Sequence, residues 1–353
     1  MPILPLYGHT KLRGLLLERV RDGSLPASLL LHGPAGVGKQ RLALWLGQAL
    51  LCERSEPPCG KCQHCRYALE LTHPDLTWVF PRPRPKDADA APEEIASDLA
   101  EESAARAARG GVYKRPPGTE AIYVATVRMV LRRAAMAPAL ARRKVFVIGD
   151  AERMVPQEGS EQAANAFLKL LEEPPRDTRI ILTSSEPAAL LPTIRSRVAA
   201  VRIAPLAAAE IHAFVSDPAV QAALEEVREA EALVAAAGGA PGTLFGESAR
   251  AGAVAAARKL VSAAYGPDAA AIYEAALSQS IAGARGGFSE TLDAITLVLA
   301  ERARDALRGG DDHEARGAVR GIDAAEVAKG RADGNVNPQL LTWRLLHDLQ
   351  EAR

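Results

Sequence analysis

Short apolar runs alternate with helical stripes through the first two hundred residues. Ser28-Leu29-Leu30-Leu31-His32 reads as a strand. It leads through Gly33-Pro34-Ala35-Gly36-Val37-Gly38-Lys39 into Arg41 to Leu51, where Leu42, Leu46, Ala49 and Leu50 fall at helical spacing. Asp75 to Phe80 predicts a second strand, and Lys144 to Gly149 and Arg179 to Thr183 predict fully buried ones. Ile122 to Ala135 carries a helical pattern, as does Ala163 to Glu173, which Pro174-Pro175 closes. Alternation of this kind up to Ile203 argues a parallel α/β domain with the glycine-rich loop at the carboxyl edge of its sheet. Pro81 to Gly118 interrupts the pattern with Pro-Arg repeats, an acidic and Ala-rich stretch, Gly110-Gly111 and Pro116-Pro117. It reads as an inserted, mobile loop with a transient helix from Glu93 to Arg109. Beyond Pro205 no strand pattern remains. Glu210 to Val215, Ala219 to Ala237 and Ala251 to Ala264 read as three helices, and an all-helical block follows from Pro267 to Arg353.

Composition narrows the class. The 353 residues suffice for two or three domains, and 48% hydrophobic with 24% charged residues is globular, so wholesale disorder is excluded. Lys+Arg and Asp+Glu number 43 each, which argues against nucleic-acid binding over the whole surface and allows a local basic patch. Aromatics at 4% and abundant Ala favour helices with aliphatic cores. No run of about 18 apolar residues suggests a membrane span. Met1-Pro2-Ile3-Leu4-Pro5 lacks the pattern of a secretory signal, and the expected location is cytoplasmic.

Gly33 to Lys39 fits the phosphate-loop pattern GxxxxGK, in which glycines turn backbone N–H groups toward phosphate and the lysine meets its oxygens. The pattern then asks for Ser or Thr, whose hydroxyl holds Mg²⁺ in an ATPase, and Gln40 stands there. The loop is therefore a degenerate phosphate site, Gly33, Gly36, Gly38 and Lys39 being its candidate residues, and ATP binding is doubtful. The second magnesium element belongs at the end of a buried strand. Here that strand runs Ile148-Gly149-Asp150-Ala151-Glu152, with Gly149 where the metal-holding Asp is expected. Asp150 is open to either reading, a loop residue or helix cap, or a catalytic acid.

All four cysteines lie in one cluster, as Cys52-x6-Cys59-x2-Cys62-x2-Cys65. In a reducing compartment such clustering predicts metal ligation, and four thiolates close a tetrahedral Zn²⁺ shell with no open position, so the metal is expected to be structural. Thr193-Ile194-Arg195-Ser196-Arg197 presents arginines after a buried strand. Spacing alone does not choose between a solvated charge and a guanidinium directed at a neighbouring subunit's phosphate.

Taken together, these motifs resemble the AAA+ subunits of the bacterial DNA polymerase III clamp loader. The resemblance rests on Leu31 to Lys39, the four-cysteine insert, His73-Pro74-Asp75-Leu76, Lys144 to Ile148, Asn165-Ala166-Phe167-Leu168-Lys169-Leu170-Leu171-Glu172-Glu173-Pro174-Pro175 and Leu191-Pro192-Thr193-Ile194-Arg195-Ser196-Arg197. It covers about two hundred residues, and Asn337-Pro338-Gln339-Leu340-Leu341 looks like the family's last collar helix. The resemblance implies a RecA-like AAA+ domain over 1–204 with a zinc module at 52–65 and the insert at 81–118, a three-helix lid over 205–264, and a helical collar over 265–353. It implies a hetero-pentamer with the gamma/tau and delta subunits, acting on the sliding clamp and primed DNA. Arg197 then falls on the arginine finger, acting in trans, and Thr183 or Ser184 on the sensor-1 position. The lid's sensor-2 arginine is expected within Gly239-Ala240-Pro241-Gly242-Thr243, where no arginine stands, and Val198 replaces the usual Cys after the finger. This pattern suits a stator that completes a neighbour's site and lacks its own. A working gamma/tau-like ATPase built on Gln40, and a zinc-dependent DNA-binding module with a vestigial loop, are the competing readings.

Overall fold

The structure is a computed structural model, and it describes residues 3–83, 90–112, 121–154, 161–224, 229–245, 247–278, 285–332 and 337–352. The chain forms two compact units, dividing between Phe245 and Gly246.

The first unit opens with α1 (Thr10–Arg21), β1 (Ser28–His32), α2 (Lys39–Leu51), α3 (Gln63–Leu69) and β2 (Leu76–Val79). It continues through α4 (Pro92–Ala107), α5 (Val124–Ala135), β3 (Lys144–Ile148), α6 (Glu161–Glu172), β4 (Thr178–Ser184), α7 (Pro192–Arg195) and β5 (Ala199–Arg202). The five strands form one sheet in the order β2-β3-β4-β1-β5, and every pairing is parallel. Strands β1, β3 and most of β4 are buried, as their continuous Leu, Val and Ile runs require when both faces are covered. β5 alternates half-buried and exposed residues, as an edge strand does.

His73-Pro74-Asp75-Leu76 has a structural use at the start of β2. The Asp75 carboxylate accepts the backbone N–H groups of Ala139, Leu140 and Ala141 at 2.6, 2.8 and 2.7 Å, tying down the segment that leads into β3. Lys144 at the start of β3 is buried and donates from Nζ to the carbonyls of Ala134 and Met136, which closes the end of α5.

The expectation of a mobile insert with a transient helix is corrected by α4. Ile95, Leu99, Ser103 and Ala107 recur every fourth residue and are buried, Ile95 and Leu99 in the same core as the sheet. Arg106 lies over the rings of Phe80 and Trp78, 3.8 and 5.5 Å from their centroids. Arg82 pairs with Glu102 at 2.8 Å and Asp98 at 3.4 Å. The segment is thus anchored to β2 by apolar burial and charge. The remaining parts of the insert, 84–89 and 113–118, lie outside the described residues.

Within the same unit, α8 (Ala208–Val215), α9 (Pro218–Ala223) and α10 (Ala230–Ala237) follow the sheet. Leu206, Ile211, Phe214, Val220, Leu233 and Leu244 form their core. Tyr7, from the chain's N-terminal segment, meets Phe214 edge-on at 5.7 Å and donates to Asp217 at 2.5 Å.

The second unit contains α11 (Glu247–Tyr265), α12 (Ala269–Leu277), α13 (Arg285–Gly309), α14 (Asp312–Ala332) and α15 (Pro338–Glu351). The division by packing falls one helix earlier than the boundary at 264/265 expected from sequence. Ala257, Leu260, Val261 and Ala264 of α11 bury their apolar stripe among Leu292, Ile295, Leu299, Leu345 and Leu349 of α13 and α15. Gly321 of α14 permits the close approach here, because a Cβ would stand 2.9 Å from Leu349 and 3.3 Å from Leu299. Asn337 caps α15 by accepting the Gln339 N–H at 2.8 Å, with Pro338 at its first position.

Candidate functional site

The glycine-rich loop leaves the carboxyl end of β1, between β4 and β5, and runs into the N-terminus of α2. Gly36 and Gly38 carry φ values of 77° and 94°, which ordinary side chains rarely adopt. Lys39 is buried, and its ammonium donates to the carbonyls of Gly33 and Pro34 at 2.9 and 2.7 Å and to Ser185 Oγ at 2.9 Å. Gly33, Gly36, Gly38 and Lys39 therefore come together as one loop.

The two positions missing from the magnesium machinery meet each other. An ideal Cβ on Gly149 would stand 2.5, 2.6 and 2.8 Å from Oε1, Cδ and Nε2 of Gln40. The Gln40 amide thus lies flat against the Gly149 backbone, in the space a side chain at 149 would need. Trp78 Nε1 donates to Gln40 Oε1 at 3.0 Å and fixes the amide there. Gly149 N, in turn, donates to Val79 O at 2.7 Å and extends the pairing of β3 with β2. Neither the hydroxyl nor the carboxylate that would orient a hydrated Mg²⁺ is present, and an amide fills the gap between their positions. These residues do not fit a magnesium site.

Beyond Gly149 the chain turns sharply. Asp150 has φ 47°, and its N–H donates to Thr183 Oγ1 at 3.2 Å. Glu152 Oε1 accepts the Ser185 N–H at 3.1 Å, while its buried Oε2 has no hydrogen-bond partner. Burial, with nearby Asp150 adding to it, pushes the Glu152 carboxyl above its ordinary range. Thr183 and Ser184, at the end of β4, are fully buried beside Leu31 and His32 of β1. Ser184 Oγ accepts from Glu186 N at 3.0 Å. It is the next residue, Ser185, that reaches Lys39.

The turn at Pro241–Leu244 packs directly on the glycine-rich loop. Gly242 N donates to Gly36 O at 2.8 Å, and a Cβ on Gly36 would strike Thr243 Cγ2 at 2.8 Å. Backbone, with no arginine among Gly239 to Thr243, covers this side of the loop.

Arg197 follows α7 and is held against the end of α6. Its Nε and Nη2 donate to Glu172 Oε1 at 2.8 and 2.5 Å, and Nη1 donates to Thr193 O at 2.8 Å and Ser196 Oγ at 3.1 Å.

Cys52, Cys59, Cys62 and Cys65 are brought together by the end of α2, the following loop and α3, with all four sulfurs within 4.8 Å of one another. Cys59–Cys65 and Cys62–Cys52 are 3.9 Å apart, close to the sulfur spacing of about 3.8 Å that tetrahedral Zn–S bonds of about 2.3 Å demand. Cys62 N and Cys65 N point at the sulfurs of Cys59 and Cys62 at 3.4 Å. Backbone donors from Lys61 and Cys62 pull the Cys59 thiol down to about 6, whereas burial pushes the Cys62 and Cys65 thiols up. All four thiols at these distances can ionise together only around a cation, so the donor set fits a structural Zn²⁺. His64 and His73 pack outside the sulfurs, Nδ1 to Nε2 at 3.0 Å. His73 Nδ1 accepts the Asp75 N–H at 3.0 Å, so its Nε2 carries the proton and donates to His64.

Sequence reasoning missed Trp78, Ser185 and Glu172, each of which touches a candidate residue from a distant element. A buried indole needs an acceptor, and that was the signal for Trp78.

Residues 8–207 match the family described as "DNA polymerase III, delta subunit". Over 170 residues the chain is 34% identical to DNA polymerase III subunit delta' of Pseudomonas aeruginosa, covering 48% of this chain and 40% of that protein. It is 26% identical over 193 residues to the subunit delta' of Bacillus subtilis, covering 54% and 46%. It is 33% identical over 177 residues to subunit gamma/tau of Mycobacterium bovis, covering 50% and 24%. The matched stretches thus span less than half the length of each relative. Among the described residues, no helix is long and apolar enough to cross a membrane.

Proposed function

The chain belongs to the DNA polymerase III delta-subunit family of clamp-loader proteins, and we propose that within it this delta-prime-like polypeptide is a stator: it hydrolyses no ATP itself and lends Arg197 to the ATP site of an adjoining gamma/tau subunit. The observation that carries this reading is the Gln40 amide lying on Gly149. An ATPase of this kind holds Mg²⁺ through the hydroxyl after the loop lysine and through a carboxylate at the end of the neighbouring strand. Both are replaced here, and the replacements pack against each other. The coverage of the loop by Gly242 and Thr243, in place of an arginine, supports the same conclusion.

Arg197 contributes a planar, permanently charged donor set suited to charge developing on a phosphoryl group. On this reading 1–204 is the motor-like body, the helices after Pro205 are a lid, and the C-terminal helices are a collar joining a hetero-pentamer with gamma/tau and delta. Through that cytoplasmic assembly the chain would help open the sliding clamp and place it on primed DNA. Zn²⁺ held by Cys52, Cys59, Cys62 and Cys65 supplies fold stability and no reaction step.

The test is steady-state ATP turnover by the purified chain with magnesium. The stator reading expects none above background; brisk turnover supports the gamma/tau-like alternative built on Gln40. Salt-sensitive DNA binding by the chain alone, lost in Cys59→Ser, would support the zinc-dependent DNA-binding reading instead.

A further inference from the structure

Arg197 is not poised outward. Its bonds to Glu172, Thr193 and Ser196 use four of the five N–H groups a guanidinium offers, leaving a single N–H on Nη2 outside them. Its charge is matched by a carboxylate: Nη2 and Glu172 Oε1 are 2.5 Å apart, with the side chains 31% and 46% exposed. A phosphate taken in the fork of an arginine requires two parallel N–H donors. The guanidinium cannot offer that fork while Nε and Nη2 both converge on one Glu172 oxygen.

The place of Glu172 also matters. It is the last residue of α6, where the helix dipole turns its negative end outward and disfavours a carboxylate. Arg197 relieves that mismatch as well as pairing with the side chain, so both groups gain from being together.

We infer that Glu172 is a latch on Arg197: it holds the guanidinium neutralised and parked on its own subunit until a neighbouring nucleotide's terminal phosphate displaces the carboxylate. The inference rests on the trans-acting role proposed for Arg197. Glu172 is a positioning residue, acting on the neighbour's reaction only through Arg197. Because both side chains are partly exposed, the pair is weak enough for a phosphate dianion to replace it. Release then becomes a step that depends on the neighbour being loaded.

The experiment is ATP hydrolysis by the reconstituted clamp-loader complex, without clamp or DNA, carrying Glu172→Gln, Arg197→Ala or both. Glu172→Gln keeps the shape and an acceptor oxygen while removing the charge. The latch predicts a rise of about two- to fivefold at the adjoining site, the range open to an exposed ion pair. The KM for ATP falls, because the phosphate no longer has to displace a carboxylate, the rise in rate shrinks as salt is raised, and both changes vanish in the double variant. A merely structural role for Glu172 would not produce the salt dependence. A Glu172→Gln rate equal to or below the unsubstituted complex, with Arg197→Ala still impaired, overturns the latch and leaves the finger standing. Full activity in Arg197→Ala overturns the finger and the latch with it.

Discussion

The Gln40 side chain and the Gly149 backbone occupy adjoining surfaces so closely that a single methyl on Gly149 would fall 2.5 Å from the Gln40 oxygen. Two departures from the magnesium-binding pattern, 109 positions apart in sequence by the residue numbers 40 and 149, are therefore one packing arrangement. A side chain at 149 would have to push the Gln40 amide away from Trp78 Nε1, its present donor.

Gly149→Ala is expected to destabilise the chain by about 1 kcal/mol, the cost of moving the Gln40 amide off its hydrogen bond with Trp78. In the Gln40→Ala background the same substitution should cost less than half as much, since the amide it collides with is gone. Denaturant unfolding of the two single variants and the double variant measures this coupling directly.

Glu152→Gln should raise the melting temperature, with a gain that depends on pH. The folded carboxyl titrates above its ordinary 4.5 because burial penalises the charge. The unfolded carboxyl ionises first, so stability is lost as pH rises from about 4.5 through the folded value. Glutamine does not titrate, and its Oε1 can still accept from Ser185. The difference between variant and unsubstituted chain should therefore grow across that window and level off above it; thermal melts between pH 4 and 8 follow it.

Zinc content should be one per chain after anaerobic purification, and Cys62→Ala should abolish it. Removing one thiolate leaves three neighbours that the cation no longer holds together, so the melting temperature should fall as well. Elemental analysis and thermal unfolding in parallel check both.

Much of this arrangement was legible in the chain because it is local. The β1 run, the glycine loop and the α2 stripe are contiguous, and the four cysteines declare themselves by spacing alone. The contacts that give the site its character are not local: Trp78, Gln40 and Gly149 come from three elements, and no periodicity links them. The helix of the insert was legible from Glu93 to Arg109, but its anchoring was obscured by composition, since Ile95 and Leu99 are its only large buried residues, with Ser103 and Ala107 completing the stripe. The four-residue spacing of that stripe was the available signal. The fate of α11 depended on which core its alanines and leucines joined, and that is decided by packing with α13 and α15.

The central claim, that this chain completes a neighbour's ATP site without firing one of its own, is tested most directly by ATP turnover of the reconstituted complex with Arg197→Ala in place of the unsubstituted chain. The account predicts that the variant still folds and assembles, its guanidinium being at the surface, and that hydrolysis falls by the adjoining site's share, that site slowing by about a thousandfold or more. Assembly with undiminished turnover would contradict it.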